Sequence, residues 1–175
     1  FIMAINFSAV ATALQNSSGN NIPRIIQYKE TTTTDWITKT NAQTISEFDT
    51  NITPSNSASH ILIIVNIMVG ADNNADLGLI YRRTISGGSI EDVPNSAGTS
   101  ASAANCSIVT GMNQDSADAA HYTGWHLDHP NTTSQVTYGL RAYPNGARTM
   151  YINRRGVDTT YTGRSRLVLL EIGDI

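Results

Sequence analysis

The sequence predicts an all-β domain, an antiparallel sandwich or barrel of about nine strands. Three observations carry that prediction. Short segments alternating apolar and polar residues recur along the chain, the two-residue period of a half-buried strand. Turn residues (Gly, Pro, Asn, Asp and Ser) separate these segments at intervals of about 10–20 residues. No segment holds a 3.6-residue period between helix caps; the best helical candidate, "AVATALQNSS" at 9–18, amounts to one or two turns.

The elements follow in order. "PRIIQYKE" (23–30), "AQTISEFDTNI" (42–52), "HILIIVNIMVG" (60–70), "DLGLIYRRTI" (76–85), "CSIVTGM" (106–112) and "AHYTGWHLD" (120–128) read as strands. A hairpin is expected next. Val136, Tyr138, Leu140 and Ala142 alternate with Thr137, Gly139, Arg141 and Tyr143, and Pro144-Asn145-Gly146 supplies residues that tolerate a tight turn. Met150 and Ile152 then alternate with Thr149, Tyr151 and Asn153 in the return strand, and "RSRLVLLEIG" (164–173) closes the chain. The stretch "SGGSIEDVPNSAGTSASAAN" (86–105) carries no clear periodicity and is expected to form an exposed tip or rim loop.

Two strands, "ILIIVNIM" and "LVLLEI", are apolar on both faces. An antiparallel sandwich normally leaves one face of each sheet to water and shows polar alternation there. A strand apolar on both sides needs a second cover, for which a neighbouring copy of the chain is the economical candidate. An amino-terminal segment or a loop is the alternative.

Composition narrows the function classes. Charged residues are only 14% of the 175, and the net charge is −3. Lys29 and Lys39 are the only lysines, and the arginines form no basic stripe, so nucleic acid is not an expected partner. The ten-residue apolar run "ILIIVNIMVG" is too short to span a membrane, and residues 1–22 show no basic region followed by a long apolar run. Cys106 is the sole cysteine and is expected to be a buried, inert thiol, with no internal disulfide.

Candidate chemistry is sparse. "ADNNAD" places Asp72, Asn74 and Asp76 at calcium-loop spacing, but Leu77 and Arg83 stand where glycine and a bidentate glutamate are needed, so an Asx-rich turn is the better reading. In "HYTGWHLDH", strand geometry puts His126 and Asp128 on one face and His129 on the other, so the residues do not converge on a metal. Trp125 on that strand is read as core. There is no nucleophile elbow, phosphate loop or zinc-protease motif, and Glu91-Asp92 reads as solvated charge. No enzymatic activity, cofactor or metal is expected; a sandwich glycosidase with two carboxylates across a cleft is the distant alternative.

The carboxyl-terminal half, "LDHPNTTSQVTYGLRAY…TMYINRRGVDTTYTGRSRLVLLEIG", resembles the end of virion proteins of tailed bacteriophages, especially marine and cyanobacterial ones. The matching positions are Asp128 and Pro130, Thr132 to Ser134, Val136 to Tyr138, Met150 to Arg154, Asp158 to Thr160 and Leu170 to Ile172. "HILIIVNIMVG" followed by "LGLIYRRTI" is similar to the family's earlier half, so the likeness spans about residues 59–173. It is an ordered set of short matches with no single diagnostic motif.

The resemblance implies an antiparallel jelly-roll sandwich of about 8–10 strands, similar to tumour-necrosis-factor and complement C1q heads and assembled as a homotrimer. It implies one domain over 1–175, with amino-terminal strands or an arm over 1–58 ahead of the family-like part at 59–175. It also implies a place on the virion surface among other virion proteins, as a tail-fibre tip that meets the host. Such domains often end a longer fibre chain; residues 1–58 here read as strands instead of a shaft, which favours a capsid decoration or a separately encoded tip. A lectin-like carbohydrate-binding module is the further alternative. A host-surface glycan or protein is the expected ligand, met by loops at the rim of the sandwich. The residues that would contact it are Asp92, Asn95 and Thr99 of the 86–105 loop and Tyr143 and Asn145 at the following turn.

Overall fold

A computed structural model describes residues 23–72, 77–97, 106–110, 116–144 and 148–173. Among these residues the chain is all β, in eleven strands: β1 (Arg24–Thr33), β2 (Ile37–Lys39), β3 (Gln43–Ile52), β4 (His60–Ala71), β5 (Leu77–Ile85), β6 (Glu91–Asp92), β7 (Ile108–Thr110), β8 (Ala119–Asp128), β9 (Val136–Pro144), β10 (Met150–Ile152) and β11 (Ser165–Gly173). The expected helix at 9–18 and most of the Asp72–Asp76 turn lie outside the described residues.

Every ladder is antiparallel, and the long pairings are nested: β1 with β11, β3 with β9, β4 with β8, and β5 with β6 and β7. Alternate pairs of this rolled hairpin fall in alternate sheets. A six-stranded sheet takes β1, β11, β4 and β8 with the short β10 and β2, and a five-stranded sheet takes β3, β9, β5, β6 and β7. This is the connectivity of a jelly roll. The strands ahead of residue 59 are part of both sheets, since β1 borders β11 and β3 borders β9.

The core sits between the sheets and follows the pleat. Ile61, Ile63, Val65, Ile67 and Val69 of β4, with Leu167 and Leu169 of β11, face Leu77, Leu79 and Tyr81 of β5 and Val136, Tyr138, Leu140 and Ala142 of β9; all are buried. The alternation read over 136–143 and 150–152 therefore places the inward residues correctly, whereas Asn153, read as outward, is fully buried.

The expected hairpin between 136–143 and 149–153 does not form: β9 lies between β3 and β5, whereas β10 joins β4 and β2 in the opposite sheet. A two-residue period fixes which side chains point inward but names no partner strand. Here the buried Met150 and Ile152 extend the six-stranded sheet beyond the start of β11.

Four further expectations are corrected. The 86–105 stretch is not wholly a free loop, because Glu91 and Asp92 pair with Arg83 and Arg82 and Val93 enters the core. Of the strand expected at 106–112, β7 begins at Ile108, residues 111–112 lie outside the described residues, and Cys106 is half-buried where burial was expected. Trp125, read as core, is 72% exposed. It stands on the outward-facing positions of β8, where alternation puts Tyr122, Gly124, His126 and Asp128 on the inner side.

Candidate functional site

Among the described residues four charged side chains, Arg82, Arg83, Asp128 and Glu171, are buried, and each is consumed by contacts within the fold. Arg83 points inward from β5; its guanidinium donates to both carboxylate oxygens of Asp128 on β8 at 2.8 Å and to Glu91 at 2.7 Å. Tyr138 on β9 donates to the same carboxylate at 2.6 Å, so the group ties the two sheets together. Burial first, and then the Asp128 carboxylate, push the Tyr138 phenol far above its usual range. Arg82 points outward from β5 yet is 2% exposed, because Asp49 from the irregular stretch of β3 pairs with it and the Leu140 carbonyl accepts from its Nε. Glu171, inward on β11, accepts from the Ser55 N–H and hydroxyl and from Gln27. Burial alone would raise its carboxyl, but those donors prevail and hold it below the ordinary glutamate value. These are structural pairings, with none of the four left poised for chemistry.

The sequence-predicted contact residues are only partly brought together. Asp92 and Tyr143 share the outer face of the five-stranded sheet. Arg141 of β9 reaches across β5 to pair with Asp92 at 2.7 Å, and Tyr143 lies two residues along β9 on the same side. Tyr143 is half-buried opposite Gly78, where an added Cβ would fall 1.8 Å from the Cys106 sulfur. Burial pushes that thiol up, with Arg141 pulling weakly the other way. Asn95 has a geometric role. It occupies positive φ (57°) in the turn closed by the Ser96 N–H to Val93 carbonyl bond, with Pro94 ahead of it. Thr99 and Asn145 lie outside the described residues.

Two further surfaces stand out, the first missed by the sequence reading and the second anticipated in its two-sided apolar strands. The first surrounds the connection from residue 153 to 164. Asn153 is buried at positive φ (62°) and donates to the Thr33 and Asp35 carbonyls while accepting from Ser165. It pins the β1–β2 turn beside this connection, and around the junction stand the exposed Trp36 and Tyr161. Arg155 lies over the Tyr161 ring at 4.7 Å and pairs with Asp158, a contact that holds the aspartate well below the usual carboxylate range. The only sequence signal was an Asn in a strand-like context followed by two arginines.

The second is the outer face of the six-stranded sheet. Ladder neighbours Tyr28, Leu170, Leu62 and Leu127 form one apolar row, and Val168, Ile64 and Trp125 form the next. The carboxyl end of β4 is covered by its own chain: Arg154 and Arg155 backbone lies over Gly70, and Gly163 lies against Met68. The rest of this face is half-buried or exposed. Among the described residues, the two-sided apolar strands thus receive their second cover along part of their length only.

No protein-family model matches the chain, and no curated protein matches it. Among solved structures it is similar to infectious bursal disease virus Gx strain at TM-score 0.40 and 10% identity, over 88% of this chain and 40% of that one. It is also similar to the VP2 subviral particle of infectious bursal disease virus, at TM-score 0.38 and 11% identity over the same shares. The chain spans less than half the length of these two neighbours.

Proposed function

We propose that this protein is a non-enzymatic structural component of a bacteriophage particle, a homotrimeric jelly roll at a tail-fibre tip that contacts the host surface. The observation that carries the reading is the division of labour in the fold. Buried charges are spent on holding the sheets together, while large apolar residues remain on the outer face of one sheet. A sandwich so built is suited to incorporation in an assembly. The phage assignment rests on the ordered sequence resemblance over about residues 59–173.

Host contact belongs, in this reading, to the rim. Asp92 and Tyr143 are held on one face but are tied to Arg141 or half-buried, whereas Trp36 and Tyr161 present free ring surface beside Asn153. Exposed aromatic rings near arginine and aspartate suit stacking and hydrogen bonding to a sugar, which also favours the second reading, a lectin-like module.

The test is immunogold electron microscopy of phage particles with antibodies raised against the folded chain. Label at the tail tip supports the proposal. Label on the capsid replaces it with a decoration role, and particles without label overturn a virion role. Binding of host glycans by a chain absent from particles selects the lectin-like module.

A further inference from the structure

We infer that the part of the six-stranded sheet's outer face that no described residue covers is the surface on which a second copy of this chain docks. The inference names the contact surface of the homotrimer proposed above and rests on that part of the reading. Particle location and mass in solution can fail independently, so the two are separable.

The first argument is area. Trp125 (72% exposed), Ile25 (63%), Tyr28 (56%) and Leu127 (40%) crowd one side of the sheet. Ile25 stands opposite Ile172, Tyr28 opposite Leu170, Leu127 opposite Leu62 and Trp125 opposite Ile64. With the half-buried Leu62, Ile64, Val168, Leu170 and Ile172 between them, they offer on the order of 600 Å² of apolar side chain, taking roughly 200 Å² for each large residue. That is at the upper limit of patches tolerated on monomers. It approaches the roughly 800 Å² that each partner of a standard interface buries.

The second argument is charge. The same face carries Glu30 on β1, opposite Val168, and Arg166 on β11, opposite Thr32 and Asn66. One acidic group, with Arg166 and Arg164 acting on it, borders the apolar field. A copy of that face, turned about a rotation axis, can meet each sign with its opposite. A uniformly acidic or basic partner would meet a like charge. On the other sheet's outer face Arg82 and Asp49, and Arg141 and Asp92, form direct ion pairs within the chain, whereas Glu30 accepts from the Tyr28 and Thr32 hydroxyls and lies in the field of Arg166 and Arg164.

The third is continuity. The 153–164 connection covers the Met68–Gly70 end of β4 and stops there, leaving the apolar rows beside a ready-made wall. Trp125 lies on β8, which among the described strands pairs only with β4, so the patch runs to the edge of the sheet as those strands define it.

The experiment uses light scattering and fluorescence on the full chain. Wild type is expected at a multiple of the 18.9 kDa chain mass, three for a trimer. Trp125→Glu with Leu127→Glu should fall to the mass of one chain with an unchanged far-ultraviolet spectrum, while Trp36→Phe should keep the multiple. Because the chain has two tryptophans, the Trp36→Phe variant reports on Trp125 alone. Its emission should be blue-shifted at high concentration and move red on dilution. A one-chain mass for wild type, or a folded double variant that retains the multiple, overturns the inference. So does Trp125 emission that ignores dilution: a red value means the face stays wet, and a blue one means residues of the same chain cover it. If the double variant does not fold, the dilution series alone decides.

Discussion

Arg83 shows why a charge inside this sandwich is worth its desolvation. Its guanidinium bonds Asp128 and Glu91, and the remaining demand of Asp128 is met by the Tyr138 hydroxyl. Removing Arg83 leaves the buried Asp128 carboxylate with only the Tyr138 hydroxyl in a dry place, while Glu91 stays half-exposed. Arg83→Met is therefore expected to destabilise the fold by about 3–5 kcal/mol, read from the shift of the urea unfolding midpoint. Glu171 makes a pH-dependent contribution. Its folded-state carboxyl is held below the ordinary value of 4.5, so its stabilisation is full above that value and is lost as pH falls through the folded one. Between about pH 6 and about pH 3 the wild type should lose more stability than Glu171→Gln, which should be the weaker protein at neutral pH by about 1–3 kcal/mol through its disturbed hydrogen bonds. Equal pH slopes for the two proteins would remove Glu171 from the account. Asn153 combines backbone and side-chain demands. Asn tolerates positive φ better than most residues, and its amide also closes two carbonyls. Asn153→Ala should cost about 2–4 kcal/mol in the same measurement.

At the scale of elements, the 153–164 connection is held down by close backbone approach. A Cβ on Gly156 would fall 1.9 Å from the Ala71 carbonyl oxygen, and backbone cannot step aside as a flexible side chain can. The Val157 N–H to Ser116 carbonyl bond (2.7 Å) and the Arg155–Asp158 pair complete the attachment. Gly156→Ala is expected to lift this connection from β4 at about 1–3 kcal/mol. Hydrogen exchange should report it as lost protection at Val157 with β4 and β11 unchanged. The strands themselves were legible before any coordinates, because β4, β5, β8, β9 and β11 match the segments read from alternation to within a residue or so. β2 and β6 were not legible. Two or three residues carry no period, and they pair only because β10 and β5 present a free edge to them.

For the whole molecule, nesting has a kinetic consequence. β1 pairs with β11, so Arg24 meets Gly173 and the first described strand waits for the last. Pairings this distant in sequence must close large loops before contacts repay them. Refolding from denaturant should take milliseconds to seconds or longer, and stopped-flow fluorescence would measure it. β11 lies between β1 and β4 in the six-stranded sheet and carries Leu167, Leu169 and Glu171 into the interior. A chain ending before Ser165 is expected to lose cooperative unfolding altogether, seen as a sloping thermal transition by circular dichroism.

The sequence by itself determined the all-β class, the inward residues of the long strands and the presence of strands too apolar for a sheet that meets water on its outer side. Each follows from a local period or local composition. Tertiary structure alone decided that β9 and β10 part into opposite sheets, that Trp125 faces outward and that Asn153 serves as a buried anchor. It also decided that, among the described residues, the apolar outer face is covered at the Met68–Gly70 end and left uncovered beside Leu62 and Ile64. The physical reason is that alternation defines two faces without saying which strand, loop or neighbouring molecule will lie against either one.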